Sequence, residues 1–180
     1  TETGIKLTNG EHLDADIIVT ATGLQLVTIG DMDFSVDGEP VDFSKTWTYK
    51  GIAYSDVPNL ASSFGYINAS WTLRADITCE WVCRLINHMT ESGTTQATPR
   101  MRPEDSNMTE HPFIQDFSSG YMQRMMPLLP RQADRSPCLN PQRYSADKKL
   151  LAKPPIVDSV MRLACARAQH PVEHTRPPRA

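Results

Sequence analysis

The sequence is poor in the residues that most often announce a function. Its 180 residues hold four cysteines, Cys79, Cys83, Cys138 and Cys165. Their spacing fits neither a zinc pattern nor a dense disulfide framework. Five histidines, His12, His88, His111, His170 and His174, form no HExxH pair. His170 and His174 stand four apart, but Pro171 between them disfavours the helix a metal face would need. No Gly-x-Gly-x-x-Gly phosphate loop, Walker sequence or Gly-x-Ser-x-Gly elbow occurs. No apolar run approaches the roughly 18 residues of a membrane span, and no charged-then-apolar leader opens the chain. A basic excess is missing too: 18 Lys and Arg against 21 Asp and Glu leave a net charge of −3. That argues against a nucleic-acid or anionic-membrane partner. Leu, Ile, Val and Phe make up 37 of 180 residues, near the floor of about one-fifth where disorder sets in. A core is therefore expected in one part of the chain rather than evenly along it, and the expected location is cytoplasmic.

What is present is unevenly placed. Eight of nine glycines lie at or before Gly93, and twelve of fourteen prolines at or after Pro99. Gly4 to Thr8 alternate apolar and polar residues, and Asn9-Gly10 then signals a hairpin whose turn positions need positive φ. Ile17-Ile18-Val19 leaves no polar face, so a strand buried on both sides of an α/β sheet is expected there, ending at Thr22-Gly23. Asp37-Gly38 marks a second turn. Trp47 to Tyr49 and Leu60 to Phe64 read as short strands. Leu73, Ile77, Trp81, Leu85 and Met89 recur every four residues and predict a long helix, with Ser70 or Asn68 as cap and Gly93 as stop. Arg74 and Arg84 are expected on its solvated face, and Cys79 and Cys83 as small buried residues. Thr94 to Thr109 reads as a loop, and residues 127–147 as turn-rich. A helix is expected within His111 to Met126, interrupted or ended near Gly120. A terminal helix is expected over Ile156 to Ala168, with disorder from His170 onward.

One arrangement suggests chemistry. Gly65-Tyr66-Ile67-Asn68-Ala69-Ser70-Trp71-Thr72 joins a strand end to a helix start. Ligands of α/β sheets bind outside the carboxyl ends of strands, against helix N-termini. The free N–H groups there favour an anion or a polarised carbonyl. A capped helix with no ligand fits the same residues, and Trp71 suits a core position as well as ring stacking.

Two stretches carry a family resemblance. Leu13 to Leu24, with Asp14, Asp16, the Ile17-Ile18-Val19 run and Ala21-Thr22-Gly23, resembles a segment of the class B flavoprotein monooxygenases. In these flavin-containing and Baeyer–Villiger enzymes the segment returns from the NADPH-binding to the FAD-binding domain. Pro58-Asn59-Leu60 and Gly65 to Asp76, followed by Glu80, Val82-Cys83-Arg84-Leu85 and Met89, resemble the ethionamide-activating type. Pro112-Phe113, Ser119-Gly120-Tyr121 with Arg124, Leu129 to Gln132 and Asn140 to Tyr144 fit the same family's C-terminal region. The resemblance covers residues 1–147 and fades in the tail. The tryptophan expected after Pro137 is replaced by Cys138.

The resemblance implies an α/β fold class. The chain would be the C-terminal part of a two-dinucleotide-domain flavoprotein of three-layer ββα type, binding FAD and NAD(P), with an irregular helical extension. Residues 1–95 would be the C-terminal half of the FAD domain, 96–147 a wrapping extension and 148–180 a poorly ordered tail with one helix. It implies a fragment of an FAD- and NADPH-dependent enzyme. Such an enzyme uses O₂, through a C4a-(hydro)peroxyflavin, to insert oxygen into a ketone or oxygenate a sulfide, thioamide or amine. The fragment's partners would be a small-molecule substrate, O₂ and the missing N-terminal half, and alone it would be inactive. Asn68, Ala69, Ser70, Trp71 and Thr72 would meet the flavin's pyrimidine edge, with Gly23 allowing close packing at the domain crossing. No catalytic or metal-ligating residue is assigned. The FAD glycine loop, the NADPH loop, the histidine-bearing signature and the flavin-facing arginine would lie upstream of Thr1. The competing readings are a non-catalytic interaction module without flavin, and a disulfide reductase. The Asn-Ala-Ser-Trp-Thr run opposes the latter.

Overall fold

A computed structural model describes residues 1–115 and 117–165. The chain opens with two hairpins at the predicted turns. Strands β1 (Gly4–Lys6) and β2 (His12–Asp14) pair with Lys6 opposite His12. Gly10 takes φ 90°, but its N–H bonds back to Leu7 O and Glu11 N–H bonds to Asn9 Oδ1. The connection is thus wider than a two-residue turn. At the second hairpin, β3 (Ser35–Val36) and β4 (Glu39–Pro40) flank Asp37 and Gly38, at φ 53° and 88°. Both turn positions there are left-handed, as a tight hairpin of this twist requires.

β5 (Thr48–Tyr49) and β6 (Ala53–Tyr54) follow, then the long helix α1 (Trp71–Ser92). Ser70 is its N-cap, and Gly93 ends it at φ 66°, where a left-handed C-cap favours glycine. Beyond it lie β7 (Gln96–Pro99), β8 (Glu110–Pro112), α2 (Gly120–Met125), β9 (Arg131–Ala133), α3 (Tyr144–Leu151) and β10 (Met161–Ala164). β7 pairs with β10 and β8 with β9. Every strand pair described is antiparallel and two-stranded.

The main core forms on one face of α1. Ile77 and Trp81 meet Tyr49, Ile52 and Ala53 from the β5–β6 turn, Ala97 from β7, and Leu151, Ile156, Val160 and Met161 from the last part of the chain. Trp81 is 1% exposed. A core Trp replaced by Ala costs about 3–5 kcal/mol. A second cluster gathers Phe113, Ile114, Met122 and Leu129, with Leu26, Phe64 and Ile67 packed against it.

Several expectations need correction. Ile17 and Val19 are 82% and 84% exposed, and residues 15–27 form no strand. The described residues offer this apolar run no neighbouring strand, and an isolated strand cannot satisfy its backbone. Leu60 to Phe64 is reduced to one bridge, Ala61 opposite Ala53. The polar stretch after Thr94 contains β7, because β10 supplies its partner. Over the described part of 156–168 there is no helix, and Met161–Ala164 form β10: Asp158 Oδ1 accepts from the N–H groups of Val160 and Met161 and turns the chain into the strand. Residues 166–180 lie outside the described residues. His111 belongs to β8, and helix appears only from Gly120. Within 127–147 lie β9 and the start of α3.

On α1, Cys79 and Cys83 are exposed rather than buried. Arg84 is half-buried and donates to Leu151 O, Ala152 O and Pro154 O at 2.8–2.9 Å, satisfying carbonyls at the end of α3 and in the turn just beyond it. Arg74 is fully buried.

Candidate cofactor-binding site

The start of α1 is open to solvent. Asn68, Ala69, Ser70, Trp71 and Thr72 are all exposed and contiguous, in a bend that feeds the helix. Ser70 makes no side-chain cap; its hydroxyl pairs with the Thr72 hydroxyl at 2.7 Å. The first turn carries no acidic residue. A 22-residue helix thus presents an uncapped, positively polarised end. Those donors suit a polarised carbonyl or a partial negative charge.

Gly65 sets the position of Trp71. A β-carbon at residue 65 would overlap the Trp71 indole, so only glycine lets the ring lie against this backbone. Phe64 packs on the same ring at 5.1 Å between centroids. Behind Trp71 is an apolar cavity of about 170 Å³, lined by Leu26, Phe64, Ile67, Phe117, Tyr121 and Met122 among others. Phe64 also lines a second cavity of about 130 Å³, with Phe43, Tyr54 and Leu128.

Gly23 lies elsewhere. It is exposed at φ 92°, with open space where a β-carbon would stand. Its neighbours make the approach instead: Leu24 O accepts from Arg124 Nη2 at 3.3 Å, and Leu26 reaches the cavity behind Trp71. The structure therefore gathers residues 68–72 and leaves Gly23 apart from them.

The anchor of this helix start was not foreseen. Arg74, in the first turn of α1, pairs with Asp147 of α3, and neither side chain is exposed. Arg74 Nη2 also donates to Lys50 O at 2.7 Å. Gly51, at φ 69°, makes room: a β-carbon there would stand 2.5 Å from Asn140 Oδ1 and 2.6 Å from Arg74 Nη2. Tyr66 is 1% exposed, and burial, then the nearby Asp147 carboxylate, push its hydroxyl up to about 12. Gln132 completes the support, accepting from Asn140 N and donating to Pro112 O. One signal in the sequence could have found Arg74. It lies three, four and seven residues before Ile77, Thr78 and Trp81, on the helix face they share. Nothing local marks Asp147 as its partner.

Among the described residues no helix is long and apolar enough to cross a membrane. No protein-family model matches the chain, and no solved structure matches it significantly. Curated proteins do match. The chain is 46% identical over 151 residues to the FAD-containing monooxygenase EthA of Mycolicibacterium smegmatis, covering 84% of this chain and 30% of that protein. It is 43% identical over 164 residues to the FAD-containing monooxygenase EthA of Mycobacterium tuberculosis, covering 91% and 33%. It is 40% identical over 161 residues to a protein of Acinetobacter baylyi named "Probable FAD-binding monooxygenase AlmA", covering 89% and 32%. The chain spans about a third of the length of the curated relatives it matches. On these identities, the chain belongs to the family of FAD-containing monooxygenases.

Proposed function

We propose that the chain is the C-terminal part of an FAD- and NADPH-dependent monooxygenase, and that residues 68–72 hold the pyrimidine edge of the flavin. The observation that carries this reading is the uncapped, exposed start of α1, with Trp71 seated against Gly65. When bound, the flavin would take electrons from NADPH and activate O₂ for transfer to a ketone, sulfide, thioamide or amine. The chain's own part is positional. Backbone N–H groups at the helix start would favour negative charge at the flavin's edge. Trp71, Phe64 and Leu26 would keep water from that edge. The Arg74–Asp147 pair would fix the helix end that carries the donors. The glycine loops for the two pyrophosphates are not in this sequence, so the chain would supply only one wall of the cofactor site.

Within this reading, residues 1–95 complete an FAD-binding domain of two-dinucleotide type, and 96–147 wrap it. The exposed Ile17-Ile18-Val19 run supports this, since it has the character of an interior strand without its sheet. The same exposed run also suits an interaction module that binds no flavin. An FAD titration separates the two, with the chain compared with one extended to the full length of its relatives. The extended protein should hold FAD and bleach on NADPH addition, and Ser70→Pro or Thr72→Asp should weaken FAD binding. Colourless extended protein would defeat the monooxygenase reading.

A further inference from the structure

The cysteines Cys79 and Cys83 take no part in the site above. They stand four residues apart on α1, and both are exposed. In a helix, residues four apart lie on one face with Cβ atoms about 5–6 Å apart, so the two thiols can close on one atom placed between them. The helix is held against the core by its opposite face, through Ile77, Thr78 and Trp81, so the pair sits on a supported scaffold. No group of three or more His, Cys, Asp or Glu side chains among the described residues could hold a metal ion. Zinc, which takes four ligands in closed sites, is therefore poorly served. A soft centre satisfied by two sulfurs is well served.

We propose that Cys79 and Cys83 form a chelating dithiol site for a soft, thiophilic centre, of which a trivalent organoarsenical is the test case. The chemistry balances without an oxidant. Phenylarsine oxide forms two As–S bonds, and its oxygen leaves as water with the two thiol protons. Arsenic stays trivalent and the sulfurs stay reduced. The other two cysteines are placed differently. Cys138 is buried, and burial pushes its thiol up to about 12. Cys165 lies beyond the far end of the helix, its Sγ at 3.4 Å from Gly93 O.

The test is titration of the reduced chain with phenylarsine oxide, followed by free-thiol counting and intact mass. One arsenical per chain should consume two thiols. The adduct should survive excess 2-mercaptoethanol and yield to a dithiol competitor. Cys79→Ser and Cys83→Ser should each weaken binding by about a hundredfold or more, because the second bond gains from an effective concentration that a lone thiol lacks. Cys165→Ser should bind as the parent does. Far-UV circular dichroism checks that each variant keeps its helix. An adduct that 2-mercaptoethanol strips from the parent as readily as from the single variants would overturn the proposal. So would loss of the adduct in Cys165→Ser.

Discussion

Arg74 and Asp147 form an ion pair with no exposed surface on either side chain, joining the first turn of α1 to α3 across 73 positions of sequence. Removing one partner strands the other charge in the interior. Asp147→Ala should destabilise the chain by about 3–5 kcal/mol, read from urea unfolding. The apolar double replacement Arg74→Met with Asp147→Leu should cost less than Asp147→Ala alone, because it leaves no buried charge. A double variant less stable than the single one would show that the pair is worth more than its desolvation.

Gly65→Ala tests the seat of Trp71. The added methyl has nowhere to go but into the ring, and overpacking of this kind costs about 1–3 kcal/mol. The Trp71 indole N–H resonance should shift, while that of Trp81, in the separate core under α1, should hold its place. An unmoved Trp71 signal would mean the ring rests elsewhere in solution.

Acid should loosen the last part of the chain through Asp158. Its burial raises the carboxyl pKa, but the Met161 N–H, the Tyr49 hydroxyl and Lys50 outweigh that and hold it below the usual carboxylate value. The Tyr49 hydroxyl donates at 2.7 Å and Lys50 Nζ stands at 3.0 Å. A carboxylate with a depressed folded-state pKa adds stability that is present above its unfolded value of about 4 and lost as pH falls through the folded value. Unfolding midpoints should therefore drop below about pH 4. Asp158→Asn should be less stable at neutral pH and show a shallower acid decline.

Tyr66 should behave in the opposite sense at high pH. Its hydroxyl is held neutral up to about 12, against about 10 in an unfolded chain. The folded state is then favoured below about pH 10 and loses this contribution as pH rises from about 10 towards 12. Burial holds the hydroxyls of Tyr49 and Tyr54 above their ordinary value as well. A tyrosinate absorbance titration should therefore show several late-ionising groups, and Tyr66→Phe should remove the one that titrates near about 12.

Val19→Ser should change the stability of this chain by no more than about 0.5 kcal/mol, as for exposed substitutions generally. In a protein extended to its relatives' length the same change should be markedly destabilising, if residues 16–23 enter a sheet there. Equal effects in both would argue against that placement.

What the sequence made legible was local. Asp37-Gly38 and the Ser70 to Gly93 limits of α1 follow from φ requirements and capping within a few residues. The Ile77–Trp81 face follows from helical period. What it hid was remote. Arg74 looked like any helix cation until Asp147 and the carbonyl of Lys50 came to it from far along the chain. Val157, Val160 and Met161 suited a helix face as well as a strand, and only the hydrogen bonds of β7 decided between them. The exposed start of α1 at residues 68–72 was legible from the capping residue Ser70 ahead of the helical period, although the strand expected before it is a single bridge at Ala61. Gly23 was named for a neighbour that these residues do not bring to it.

The pairing of β10 with β7 also sets a time order. Met161 meets Pro99 and Ala164 meets Gln96, so the face of α1 under Val160 and Met161 stays open until some seventy further residues have been made. At about 5–20 residues per second, the nascent chain carries the Ile77–Trp81 face covered only from the Tyr49, Ile52 and Ala53 side for several seconds. During that interval it is most exposed to chaperones and to misassociation, and a substitution that slows β10 closure would lower yield without touching the folded protein's stability.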